Sequence, residues 1–97
     1  MREAFAKAVQ TAIEESIAIG YTPSLLIQML QRQHAVEIAK QLIANGNIQH
    51  GFNQIIQLRR PDLTIESLML QSQFTGLFSH QELEAARWRL NQAGVIV

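Results

Sequence analysis

The chain contains no cysteine, which excludes disulfides, thiolate zinc sites and thiol nucleophiles. Neither sign of charge is in excess, because eight basic residues balance eight acidic residues. A balanced surface lacks the large field that would attract nucleic acid, anionic lipid or acidic substrates. The two prolines and five glycines do not gather into a stretch that would mark a linker. Composition therefore indicates an undivided globular chain and names no partner.

Long apolar runs are also missing. Uninterrupted runs extend to no more than three or four residues, whereas roughly 20 are needed to span a bilayer. The N-terminal segment carries charges at Arg2, Glu3 and Lys7 and has no apolar core of the signal-peptide type. We therefore expect a soluble, cytoplasmic protein with no membrane segment.

Apolar residues recur with a helical period. The pattern predicts a first helix ending before Gly20, a second opened by Thr22 and Pro23, and a last one capped by Ser79 and Glu82. Further helices are predicted near 35–45, 52–59 and 65–71. A chain of 97 residues has the usual size for one core. We predict an all-α fold: a compact orthogonal bundle of five or six short helices forming a single domain over residues 1–97.

The second helix is apolar over more than half of its circumference. Leu25, Leu26, Ile27, Met29 and Leu30 leave only a narrow polar strip. A helix with so little polar surface is expected at the centre of the fold, in contact with neighbours on several sides.

The segment Arg59–Arg60–Pro61–Asp62 raises a choice between a binding site and a corner. Pro61 cannot continue a helix, and it favours extended geometry at Arg60. Asp62 and Thr64 offer oxygens to the free amides of the next helix, and Asp62 is expected to pair with Arg60 or with a helical arginine such as Arg87. We predict a structural corner formed by Arg60, Asp62, Thr64 and Arg87.

Two surface features suggest other roles. Arg59, Arg60, Arg87 and Arg89 would form a nucleic-acid contact site if packing brought them together, because binding to DNA depends on neutralising several phosphates at once. Trp88 lies opposite the predicted buried face of the last helix and, with Val95 and Val97, is a possible interface. The alternative is that the chain itself covers Trp88.

The sequence does not predict a metal or cofactor site. The three histidines, His34, His50 and His80, do not stand at the i, i+4 spacing of a helical zinc site. Gly46 and Gly51 have the glycine spacing of a phosphate-binding loop, but the lysine and hydroxyl residue that should follow are missing. We expect no metal, no cofactor and no catalytic residues.

A collinear pattern of residues runs from Gly20 to Leu90. Its members are Gly20, Tyr21, Pro23, Gln28, Met29, Ala39, Lys40, Leu42, Gly51, Phe52, Arg60, Asp62, Leu63, Thr64, Glu66, Leu68, Leu77, Phe78, Ala86, Arg87, Arg89 and Leu90. In this pattern the chain resembles a small all-helical domain of uncharacterised bacterial proteins, found alone or as a C-terminal appendage. It departs from that family at His34–Ala35, where two glycines are common, and at Arg59 and Pro61, where glycine and leucine are usual. The resemblance implies a helical fold and a network between Asp62 and an arginine, but no activity.

These observations favour a non-enzymatic module that acts through protein–protein contacts. We expect an adaptor or regulator of a larger bacterial protein or complex, with another protein or a second copy of itself as partner. The alternative is an accessory nucleic-acid-binding domain that uses the arginine cluster, although the balanced charge makes nucleic acid the less favoured partner.

Overall fold

The computed structural model describes residues 1–45 and 50–96 and confirms the predicted all-α bundle. No strand occurs in those residues, and their radius of gyration of 12.1 Å is near the roughly 12.5 Å expected for this length. Pro61–Leu63 and Thr75–Leu77 are single 3₁₀ turns that precede the last two helices. The α-helices are Arg2–Ala18 (α1), Ser24–Leu30 (α2), Ala35–Ala44 (α3), His50–Gln57 (α4), Ile65–Met69 (α5) and His80–Gln92 (α6).

The core forms around Phe5 of α1. Its ring meets Phe74 and Phe78 edge to face, with centroid separations of 5.2 and 5.3 Å, a favourable geometry for aromatic pairs. The rest of the inner face of α1 follows the predicted helical period through Val9 and Ile13. Helices α3 and α5 pack against this face, and α6 packs against both of them and completes the core.

Three helices end in the same hydrogen-bonded motif, in which a left-handed residue follows the helix. Gly20 (φ 105°) has this role after α1 and Gly94 (φ 87°) after α6. After α4 the position is held by Arg59 (φ 62°), whose amide donates to Ile56 while that of Arg60 donates to Ile55. A side chain disfavours this backbone conformation, so Arg59 stands where glycine would be less strained.

Some predicted boundaries need correction. Thr22 does not cap α2, which begins at Ser24 after Pro23 and has no side-chain cap. His50 and Gly51 belong to α4, although residues 47–51 were expected to form a loop. The rest of that expected loop, like Gly46 and Val97, lies outside the described residues.

The predicted central position of α2 is wrong. None of its residues is buried, and it packs mainly against α3 at the edge of the bundle. Leu25 remains 56% exposed. The sequence pattern correctly indicated that α2 has a large apolar surface, but neighbouring helices cover only part of that surface.

Candidate functional site

An apolar groove lies beside α2, where the described part of the bundle leaves that helix partly uncovered. Leu25, Leu26 and Met29 line it from α2, and Phe52 and Ile55 line it from α4. It encloses a cavity of about 250 Å³. We refer to this cavity and its lining as the α2 groove. Its surface is mainly that of aliphatic and aromatic side chains, as is usual in binding sites.

The segment before α5 completes the groove. Leu63, Thr64 and Ile65 line it together with Glu66. Thr64 is held in place because its hydroxyl accepts a hydrogen bond from the amide of Ser67 at 3.1 Å and donates one to the Pro61 carbonyl at 2.8 Å. The predicted helix cap at Thr64 is therefore present, and it fixes this part of the groove.

Glu66 brings a carboxylate to the groove, but that carboxylate is already paired. Nη1 of Arg89 lies 3.1 Å from Oε2 of Glu66, and both side chains are less than 10% exposed. Nη2 of Arg89 donates to the carbonyl oxygens of Ile43, at 3.3 Å, and Asn45, at 3.0 Å. The pair thus joins α5 and α6 to the end of α3.

A second, shallower depression continues from the groove along α2. It shares Leu25 and Met29 with the α2 groove and adds Gln28, Gln31 and Arg32. The shared residues make the two depressions one continuous surface. Its outer end carries the guanidinium of Arg32.

The predicted corner is present, although with fewer members. Nε and Nη2 of Arg60 donate to the two carboxylate oxygens of Asp62 at 3.1 and 3.0 Å, and Nη2 also reaches Glu15 at 3.4 Å. The hydrogen bond from Arg60 holds the pKa of Asp62 below its ordinary value. Asp62 is exposed and does not cap a helix, contrary to expectation. Arg87 is not part of the corner, because it pairs with Glu84 within α6.

The four arginines of the alternative prediction do not form an open cluster. Arg89 is buried against Glu66, so its assignment as a nucleic-acid contact is wrong. Arg60 and Arg87 are each paired with carboxylates. Among the four, only Arg59 has no acidic side chain within 4 Å in the described part of the chain. Phosphate binding by this group would first require the four ion pairs formed by Arg60, Arg87 and Arg89 to be disrupted.

Trp88, the main residue of the possible interface, lies at the surface of the protein. Trp88 is 61% exposed, as its position opposite Ala86 and Leu90 on α6 predicts. Val95 is partly buried, and Ile96 beside it is almost fully exposed. Val97 lies outside the described residues. An interface role for Trp88 therefore stays a prediction.

His34 has a role in local structure. Nδ1 of His34 accepts the amide of Val36 at 3.1 Å and so caps α3. Within residues 1–45 and 50–96, no three His, Asp or Glu side chains come together as metal ligands. In the same part of the chain, no helix is both long and apolar enough to cross a membrane.

Sequence reasoning did not find the α2 groove or the buried ion pair. A partial signal for the pair was present, because Arg89 stands three residues after Ala86 and four before Ala93 on the predicted inner face of α6. The sequence could not reveal the groove, because the groove depends on how segments distant in the chain pack around α2.

Comparison with known proteins gives no match to a family model, a curated protein or a solved structure.

Proposed function

We propose that this chain is a non-enzymatic helical module that binds another protein through the α2 groove. In this role it acts as an adaptor or regulator of a larger protein or complex. The observation that carries the proposal is the placement of α2, whose apolar residues line an open groove with Leu25 at its exposed edge. Concave, mainly apolar surface with few polar groups is the usual character of a binding site on a folded protein.

The electrostatics of the groove support binding rather than catalysis. Its carboxylate, Glu66, is almost fully buried in an ion pair with Arg89, and the hydroxyl of Thr64 is engaged in a helix cap. A general base must come within hydrogen-bonding reach of a substrate proton, and this burial opposes such contact. The remaining groove residues offer apolar contact and exclude water from a docked side chain.

The experiment compares two aliphatic positions that are both about half exposed. A photocrosslinking amino acid is placed at Leu25, in the groove, or at Ile17, on α1 outside it. We expect one protein to be captured from the native cell through position 25 and not through position 17. That protein is then purified and its affinity measured by calorimetry.

Matched substitutions complete the test. Leu25→Asp should weaken binding of the purified partner by about tenfold or more, because it places a carboxylate against apolar surface. Ile17→Asp should leave the affinity unchanged. Equal binding by wild type and Leu25→Asp, with both proteins folded by circular dichroism, would show that the groove is not the binding site.

A further inference from the structure

The α2 groove and its extension towards Arg32 identify the kind of partner segment. We infer that the occupant is an amphipathic helix that places one bulky apolar residue in the cavity and an acidic residue beside Arg32. This inference rests on the proposed function. Its support comes from the spacing of the uncovered residues on α2, the size of the cavity and the charge at its outer end.

The spacing of the uncovered residues matches a helical partner. Leu25, Met29 and Arg32 stand at i, i+4 and i+7, so they form one stripe along α2 and the turn after it. A second helix lying along such a stripe can pack its own i, i+3, i+4 and i+7 residues against it. An extended peptide would need a strand edge for main-chain pairing, and the described residues contain no strand.

The cavity has room for one large apolar side chain. It holds about 250 Å³, just below the roughly 300–1,000 Å³ of pockets that enclose drug-sized ligands. Met29 in its lining is flexible and can adjust to the shape of an apolar anchor. The cavity is thus suited to one large side chain presented by a larger surface.

The charge around α2 favours an acidic partner. All eight acidic side chains lie in the described part of the chain, and none of them comes within 4 Å of Arg32. Arg2, Arg60, Arg87 and Arg89 each pair with a carboxylate instead. Arg32 also lies seven residues from Leu25, about 10 Å along a helix. If the partner helix carries a carboxylate about two turns from its apolar anchor, that carboxylate would lie beside Arg32.

Selection from a phage-displayed library of random 16-residue helical peptides tests the inference. We expect peptides selected on the wild-type protein to be amphipathic and to carry Asp or Glu about seven residues from a bulky apolar anchor. Leu25→Asp should reduce the affinity for these peptides by about tenfold or more. Arg32→Gln should reduce the affinity for the same peptides by about two- to fivefold at low salt, the range for an exposed ion pair. Selection on Arg32→Glu should favour Lys or Arg at the same peptide position.

The control is Lys7→Glu, which makes the same charge change at another cation that lies outside both depressions and has no acidic side chain within 4 Å in the described residues. Peptides selected on this variant should carry the same acidic residue as those selected on the wild-type protein. Peptides that depend on Leu25 but show no acidic preference would overturn the inference and leave the proposed function standing. A selection that yields no peptide sensitive to Leu25→Asp would overturn both.

Two other occupants give different results in parallel measurements. Self-association in sedimentation that is abolished by Leu25→Asp would place a second copy in the groove. A small apolar molecule that copurifies with wild type and is lost in Leu25→Asp, detected by native mass spectrometry, would make the cavity a ligand site. Either result would contradict the inference that the groove binds a helix of a partner protein.

Discussion

Glu66 and Arg89 form an ion pair inside the bundle, with 3.1 Å between Oε2 and Nη1 and both side chains almost fully buried. Arg89 uses its other terminal nitrogen to bind the carbonyl oxygens of Ile43 and Asn45 at the end of α3. One side chain therefore holds three helices together. Because removing one partner leaves the other charge buried and unpaired, the cost of such a change is large.

We expect Glu66→Ala to reduce the free energy of unfolding by about 3–5 kcal/mol in urea titrations. The control is Glu37→Ala, which removes a carboxylate from the half-exposed pair with Arg2 and should cost less than about 1 kcal/mol. The double variant Glu66→Leu/Arg89→Met should recover part of the loss, since neither charge then remains. Equal effects of the two single substitutions would mean that the Glu66–Arg89 pair is solvated.

Arg59 offers a stabilising substitution. Its φ of 62° places a side chain in the left-handed region after α4, which costs roughly 1–2 kcal/mol for a residue other than glycine. Glycine removes that strain but loosens the unfolded chain, so Arg59→Gly should raise the free energy of unfolding by about 0.5–1 kcal/mol. Arg59→Ala keeps the β-carbon and should bring no gain. A gain in both variants would assign the effect to the arginine charge.

The corner before α5 should depend on Thr64 more than on Asp62. Thr64 is buried and caps α5, so Thr64→Ala should cost about 1–2 kcal/mol. Asp62 is exposed and pairs with Arg60, so Asp62→Ala should cost less than about 1 kcal/mol. Thermal unfolding of the two variants gives the comparison. The reverse order would indicate that Asp62 supports the corner through more than this surface pair.

Glu82 should contribute to the acid sensitivity of the fold. Burial opposes its ionised form, but hydrogen bonds from the Ser79 amide and from Lys40 outweigh that effect and lower its pKa below the usual 4.5. A lowered pKa in the folded state stabilises the protein fully above the ordinary value and less as pH falls through the folded value. Stability should therefore decline below about pH 5.

Glu82→Gln should remove part of that decline and cost about 1 kcal/mol or less at pH 7, because it keeps the oxygen acceptor of the capping box but loses the charge that pairs with Lys40. Urea titrations between pH 3 and 7 measure both effects. Glu84→Gln is the control, because Glu84 lies on the same helix and pairs only with Arg87 on the surface. An unchanged pH profile in Glu82→Gln would rule out this contribution.

Trp88 should be dispensable for the fold. Because it is 61% exposed, its fluorescence should have the red-shifted maximum of a solvated indole, and Trp88→Ala should change the free energy of unfolding by about 0.5 kcal/mol or less. A loss of several kcal/mol would show that it is a core residue. Sedimentation of wild type and Trp88→Ala then tests the predicted interface, since self-association through this face should be lost in the variant.

The helices themselves could be predicted because their signals are local. Phe5, Val9 and Ala12 repeat at helical spacing, and Ser79 with Glu82 forms the expected capping box. Such patterns act over three or four residues, so the sequence contains all of their partners. The same geometry placed Trp88 opposite the buried face of α6, but it left open whether the chain covers that side chain, which is 61% exposed.

The candidate site was less predictable because its parts come from distant segments. The apolar character of Leu25 and Met29 suggested burial, whereas the structure leaves them beside a groove. Asp62 was expected to cap a helix and to pair with an arginine; it pairs with Arg60 but caps no helix, and the buried pair is formed by Glu66 instead. In each case the residue type was informative, but the neighbour that decides its role lay elsewhere in the chain.

The sequence by itself determined an all-α protein of balanced charge without cysteine, together with the places where most of its helices begin and end. Only the tertiary structure decided that α2 lies at the edge and that Arg89 is buried. The physical reason is separation along the chain: Arg89 meets Glu66 across 23 residues and the Ile43 carbonyl across 46. Helical periodicity determines which face of a helix is apolar, whereas the packing of distant segments determines whether that face is covered by the chain or left open.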